Sequence, residues 1–203
     1  MEGKEQKSVL GSHTEEKYFR EKERKLIAKL KEKAAKESAR RALSEAVGVS
    51  DEGILQTLEE MGYDREVVTV LHLVPLLAVA WADGRISDEE RTKIVEAARS
   101  WGVHEGTAAD RKLHDWLSVR PEEVQISRAL RVIRDILQFR GAGKRASYRS
   151  SVLGLAEGVA EASGGLLGLG RKVSAAERKV IERVARELSD NHPAAARKVL
   201  ADT

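Results

Sequence analysis

Residues 80–91, AWADGRISDEER, bring four carboxylates and a serine into little more than two helical turns. These five residues are Asp83, Ser87, Asp88, Glu89 and Glu90. Carboxylate oxygens are hard ligands of the kind that calcium and magnesium prefer. The EF-hand spacing is not met, because the acidic residues that should alternate before Gly84 are missing. A cation site here would have to form across a corner between two helices, with Asp83 and Glu90 converging.

The same residues also fit a purely structural role. Ser87 and Glu90 have the S-x-x-E spacing of a capping box, in which each side chain bonds a backbone N–H of the first helical turn. Asp83 would then tighten the turn, while Asp88 and Glu89 would complement the helix dipole. The residues alone favour this interpretation over a cation site, and both remain open.

An internal repeat supports a helical corner at this position. Residues 86–101, ISDEERTKIVEAARSW, align with residues 173–188, VSAAERKVIERVAREL. Ser174 and Glu177 repeat the capping box of the first copy. The repeat predicts two similar helical hairpins that pack against each other.

The rest of the chain also has helical periodicity, with no clean alternation of apolar and polar residues. We therefore predict an all-α fold, a helical bundle built from two similar helical hairpins and preceded by a long charged N-terminal helix. We expect Ser50 to cap a short helix, Pro75 to kink a helix over 65–82, and Pro121 to begin another. The predicted domains are a charged and projecting helix at 1–46, a connecting helix at 47–63, a helical domain at 64–190 and a tail helix at 191–203.

Composition limits the classes of function. The 203 residues are 41% hydrophobic and 34% charged and include no cysteine, so no disulfide or thiolate nucleophile is available. Residues 1–45 carry a net charge of +4 and the remainder −1, which argues against a general nucleic-acid partner. No apolar run is long enough to span a membrane and no signal peptide is evident, so we expect a cytoplasmic protein. Peripheral contact with a membrane stays open, because basic side chains concentrate at 128–149.

No arrangement of residues points to catalysis. The stretch GGLLGLGRK, residues 164–172, has the glycine spacing of a phosphate loop, but Arg171 stands where lysine is needed and no strand precedes it. No nucleophile elbow or acid–base pair is evident. We expect a binding protein rather than an enzyme.

Residues 73–98, LVPLLAVAWADGRISDEERTKIVEAA, resemble the signature of the tellurite-resistance TerB-like family. Residues 160–189, AEASGGLLGLGRKVSAAERKVIERVARELS, resemble the closing half of stress-associated relatives. The resemblance covers about 66–190 and implies a helical bundle and a non-catalytic, stress-associated function. For a binding protein we also expect a protein partner, which the sequence does not identify. It also implies a divalent cation, calcium or magnesium, at Asp83 and Glu90 with Asp88 or Glu89. The second copy departs from the pattern, because Ser163 and two glycines replace the aspartate of the first corner.

The N-terminal helix resembles a different family. Residues 15–31, EEKYFREKERKLIAKLK, are similar to the inhibitory helix of the mitochondrial ATP synthase inhibitor protein. The resemblance implies an alternative function, an ATPase-inhibitor-like interaction protein that binds its partner through Tyr18, Phe19, Arg20, Arg24 and Leu30. The apolar stripe of this helix is sparse, so residues 1–46 should be removable without unfolding residues 64–190.

Overall fold

The computed structural model describes the backbone of residues 3–163 and 173–189 and the side chains of residues 17–162 and 173–189. All regular elements in these ranges are helical, which confirms the all-α prediction. The predicted tail helix and the glycine-rich stretch lie outside the described residues. The elements are α1 (Gly3–Val47), α2 (Glu52–Glu60), a 3-10 helix (Val68–Leu73), α3 (Val74–Ala80), α4 (Asp88–Ser100), α5 (Ala108–Ser118), α6 (Glu123–Gln138), α7 (Ala142–Ser163) and α8 (Ala175–Glu187).

The chain divides into two compact units, Met1–Ala42 and Leu43–Thr203. In the first unit, α1 is charged on all sides, and every side chain from 17 to 39 is exposed. Pairs four residues apart support the helix, with Lys25 Nζ 2.8 Å from a Glu21 oxygen and Lys36 Nζ 2.7 Å from a Glu32 oxygen. Such pairs contribute about 0.2–0.5 kcal/mol each to helix stability.

The second unit is built around α3. All seven residues of this helix are buried, because it is apolar on every side and can therefore sit only in a core. Helix α3 packs against α6, α7 and α8, while α4 packs against α7 and α7 against α8. The two repeat copies thus form two helical hairpins, α3–α4 and α7–α8, that pack together as predicted.

The capping boxes are confirmed, whereas two other predicted helix starts and one predicted kink were wrong. Asp51, not Ser50, caps α2, and its Oδ1 accepts a hydrogen bond from Ile54 N at 3.0 Å. Pro75 does not kink a continuous helix, because a 3-10 helix ends at Leu73 and Pro75 lies in the first turn of α3, where no N–H is needed. Pro121 precedes α6 by two residues.

Within the described part of the chain, no helix is both long enough and apolar enough to cross a membrane.

Candidate acidic site at the hairpin corner

The corner between α3 and α4 is shaped by local bonds. Gly84 has φ +91°, in the left-handed region that favours glycine, and it turns the chain toward the start of α4. Ser87 is the N-cap, with its Oγ accepting from Glu90 N at 3.2 Å. Glu90 Oε2 reaches back and accepts from Ser87 N at 2.7 Å and from Ser87 Oγ at 2.8 Å. This is the capping box expected from the sequence.

Glu90 is buried, with only 2% of its surface exposed. Burial raises the pKa of its carboxyl above the ordinary value, and the hydrogen bonds from Ser87 lower it in part. The negative charges of Glu177 and Asp83 raise this pKa further. Glu90 of one hairpin is therefore affected by carboxylates of both hairpins.

The second hairpin repeats the arrangement. Ser174 Oγ accepts from Glu177 N at 3.1 Å, and Glu177 Oε2 accepts from Ser174 N at 2.6 Å. Glu177 is also buried, with 3% of its surface exposed. The repeat identifies Glu177 as a capping residue, but its electrostatic proximity to Glu90 comes from the packing of the two hairpins.

The other three acidic residues of the corner are exposed. Asp83 Oδ1 accepts from Arg85 N at 3.2 Å, which is the turn-tightening role considered above. Asp88 and Glu89 lie in the first turn of α4, where a negative charge complements the helix dipole. The name "acidic corner" is used below for Asp83, Asp88, Glu89 and Glu90.

The predicted cation ligands do not form a preassembled site. Among the described side chains, no group of three or more histidine, aspartate or glutamate residues has an arrangement that could hold a metal ion. One oxygen of Glu90 is already engaged by Ser87.

An open groove of about 850 Å³ lies beside the acidic corner, between α4 and α7. Glu89 belongs to both the acidic corner and the groove. Glu96 and Glu161 add two negative charges to the groove lining, and Lys93 adds one positive charge. Gly154 and Gly158 line the α7 side, with open space beside each glycine where a side chain would begin.

The predicted partner-binding residues of α1 are solvent-exposed. Tyr18, Phe19 and Leu30 are 61%, 64% and 59% exposed. The rings of Tyr18 and Phe19 meet edge to face with centroids 5.9 Å apart, and Lys22 Nζ lies 5.7 Å from the Tyr18 centroid. Arg20 and Arg24 lie on the same exposed helix.

Other polar residues have structural partners. Asp110 is buried, accepts from Gly106 N at 3.0 Å and lies 3.4 Å from an Arg99 nitrogen, so its 3.7 Å approach to His114 is one contact among several. In the basic stretch 128–149, Arg128 pairs with Glu60 and Arg134 with Asp135.

No protein-family model, curated protein or solved structure matched this chain.

Proposed function

We propose that this chain is a non-catalytic, stress-associated binding protein of the TerB-like kind, and that the acidic corner takes up a divalent cation, calcium or magnesium. The burial of Glu90 near two other carboxylates is the observation that carries this proposal. A buried carboxylate is costly to ionise unless a positive charge or hydrogen bonds compensate it. A divalent cation would supply that compensation with oxygen ligands of the type it prefers.

Thermal unfolding with added calcium or magnesium tests the proposal. A cation that binds only the folded chain raises its melting temperature by mass action. We expect millimolar calcium or magnesium to raise the melting temperature of the wild type, and Asp83→Asn to abolish the rise because it removes one negative ligand. Asp64→Asn is the matched control, because Asp64 also accepts backbone bonds in a turn, from Glu66 N and Val67 N. No shift in the wild type, or an equal shift in Asp83→Asn, would leave the acidic corner a structural element only.

The protein partner would bind the groove between α4 and α7. The acidic rim of this open groove supports this assignment, because complementary charge steers a partner to its surface. Gly158→Trp should fill the groove and reduce capture of partners from native lysate. Gly143→Trp, at a glycine of the same helix outside the groove lining and also beside open space, should not. Equal capture by both variants would contradict the assignment.

The second candidate is the ATPase-inhibitor-like function of α1. The exposure of Tyr18, Phe19 and Leu30 supports it, because an inhibitory helix must offer these side chains to its partner. A peptide of residues 10–46 should inhibit ATP hydrolysis by ATP synthase from the same source, and Phe19→Ala should relieve the inhibition.

Leu26→Ala is the control for that peptide. Leu26 is 58% exposed in the same helix but is not one of the five residues proposed to bind the partner. A peptide that does not inhibit, or that loses inhibition equally with either substitution, would rule out the inhibitor function.

A further inference from the structure

A second cavity lies in the second unit, between α2, α3, α5 and α6. None of the residues of the acidic corner line it. Its volume is about 180 Å³. A buried apolar cavity of roughly 150 Å³ is known to accept benzene. The space therefore matches one six-membered ring with a small substituent.

The walls of this cavity are aromatic and apolar. The rings of Tyr63 and Trp116 meet edge to face with centroids 6.4 Å apart, and both residues line the cavity. Val74 and Leu77, from the fully buried helix α3, and Ala129 of α6 complete the apolar surface. Such walls favour a planar apolar group, because aromatic side chains interact well with a ring placed edge on or offset.

Tyr63 contributes a polar group to this apolar space. The residue is 5% exposed, and burial raises the pKa of its hydroxyl, which keeps the proton in place as a donor. Because Tyr63 lines the cavity, its hydroxyl can donate a hydrogen bond to an acceptor atom of a molecule bound there.

Charged side chains also line this cavity. Lys112 Nζ lies 5.3 Å from the centroid of the Trp116 ring, and an Arg128 nitrogen lies 3.4 Å from a Glu60 oxygen. Lys112, Arg128 and Glu60 all line the cavity and give it a net charge of +1. Val124, which is 56% exposed, marks its solvent side. The charge balance complements an anion with one negative charge.

We propose that this cavity binds a small carboxylic acid with a single aromatic ring. The ring lies against Tyr63 and Trp116, the carboxylate pairs with Lys112, and a ligand oxygen accepts the Tyr63 hydroxyl proton in a hydrogen bond. The site uses none of the residues of the acidic corner, so its test is independent of the proposed cation binding.

Titration with benzoate, followed by calorimetry on the full chain, tests the proposal. We expect saturable binding of one benzoate per chain and weaker binding of benzyl alcohol, which has the ring but no charge. Lys112→Met should weaken benzoate by about tenfold or more and remove its advantage over benzyl alcohol, since a charge-assisted hydrogen bond is lost. Tyr63→Phe should weaken benzoate as well.

A pair of exposed valines supplies the control for position. Val124→Trp should abolish benzoate binding by filling the solvent side of the cavity. Val119→Trp should leave benzoate binding unchanged, because Val119 does not line the cavity. Val119 is 71% exposed and directly follows α5. Both sites are exposed, so both variants should fold, as circular dichroism would verify. The proposal is overturned if benzoate shows no saturable binding at millimolar concentration, if the two tryptophan variants bind equally, or if Lys112→Met retains the preference for benzoate.

Discussion

Two ionisable side chains, the buried Glu90 and the half-buried His72, make the second unit sensitive to pH in opposite directions. Burial raises the pKa of Glu90, so lowering the pH relieves the cost of its charge. His72 donates to or accepts from the Tyr148 hydroxyl at 2.9 Å and packs edge to face against Trp101. Burial and, to a smaller extent, the nearby Arg140 charge together lower its pKa from 6.5 to about 4. His72 therefore remains neutral in the folded chain near neutral pH.

His72 should produce a loss of stability in mild acid. Above its unfolded pKa of 6.5 both states are neutral, whereas between 6.5 and about 4 the unfolded chain binds a proton that the folded chain excludes. The free energy of unfolding should fall across that interval by up to about 3 kcal/mol from this residue. Urea unfolding at several pH values measures the fall.

His72→Gln should remove this contribution. The difference in unfolding free energy between wild type and His72→Gln should therefore shrink as the pH falls from 6.5 to 4. His104→Gln, at an exposed histidine, serves as the control for losing a histidine elsewhere. A difference that stays constant with pH would mean that His72 titrates alike in the folded and unfolded chains.

At the scale of single elements, the sequence predicts best those features, such as capping boxes, that depend on residues close together in the chain. Ser87 and Glu90, like Ser174 and Glu177, are three positions apart, so their capping boxes depend only on local geometry. The sequence is less able to decide which of two adjacent residues caps a helix. Ser50 and Asp51 are both good capping residues, and Ser50 Oγ instead lies 3.4 Å from Ser44 Oγ, a contact that requires the end of α1.

The two capping serines should contribute similarly to stability. Ser87→Ala and Ser174→Ala should each lower the free energy of unfolding by about 0.5–2 kcal/mol, because each removes the oxygen that accepts from the backbone N–H of the glutamate three residues later. Ser100→Ala, in the last turn of α4 where the hydroxyl donates to Ala97 O, should have a smaller effect. The urea midpoints of the three variants measure these differences. If both capping substitutions leave the midpoint unchanged, the capping role of the two serines is contradicted.

At the scale of the whole molecule, the informative contacts join distant parts of the chain. The Glu177 charge raises the pKa of Glu90, 87 residues earlier in the sequence, and the Tyr63 ring contacts the Trp116 ring across 53 residues. Spacing within a sequence cannot reveal such pairs, because they depend on how the helices pack. The end of α1 is a further case. Leu43 is 1% exposed in the core of the second unit, so the prediction that residues 1–46 are dispensable needs correction to residues 1–42.

Two leucines of α1 should therefore differ sharply in their effect on stability. Deleting residues 1–42 should leave cooperative unfolding of the remainder nearly unchanged. Leu43→Ala should cost about 2–5 kcal/mol, as a large-to-small change in a core does. Leu26→Ala, at an exposed position, should stay within about 0.5 kcal/mol of wild type. Similar urea midpoints for the two alanine variants would contradict the burial of Leu43.

The pKa of the Glu90 carboxyl, followed by carbon NMR during a pH titration with and without calcium, tests the cation proposal most directly. Without calcium, the pKa should lie above the ordinary value of 4.5, because the group is buried near Glu177 and Asp83. Millimolar calcium should lower it, since a bound cation favours the ionised form, and Asp83→Asn should weaken that response. A pKa at or below 4.5 without calcium, or one that calcium leaves unchanged, would contradict the proposal of cation binding at the acidic corner.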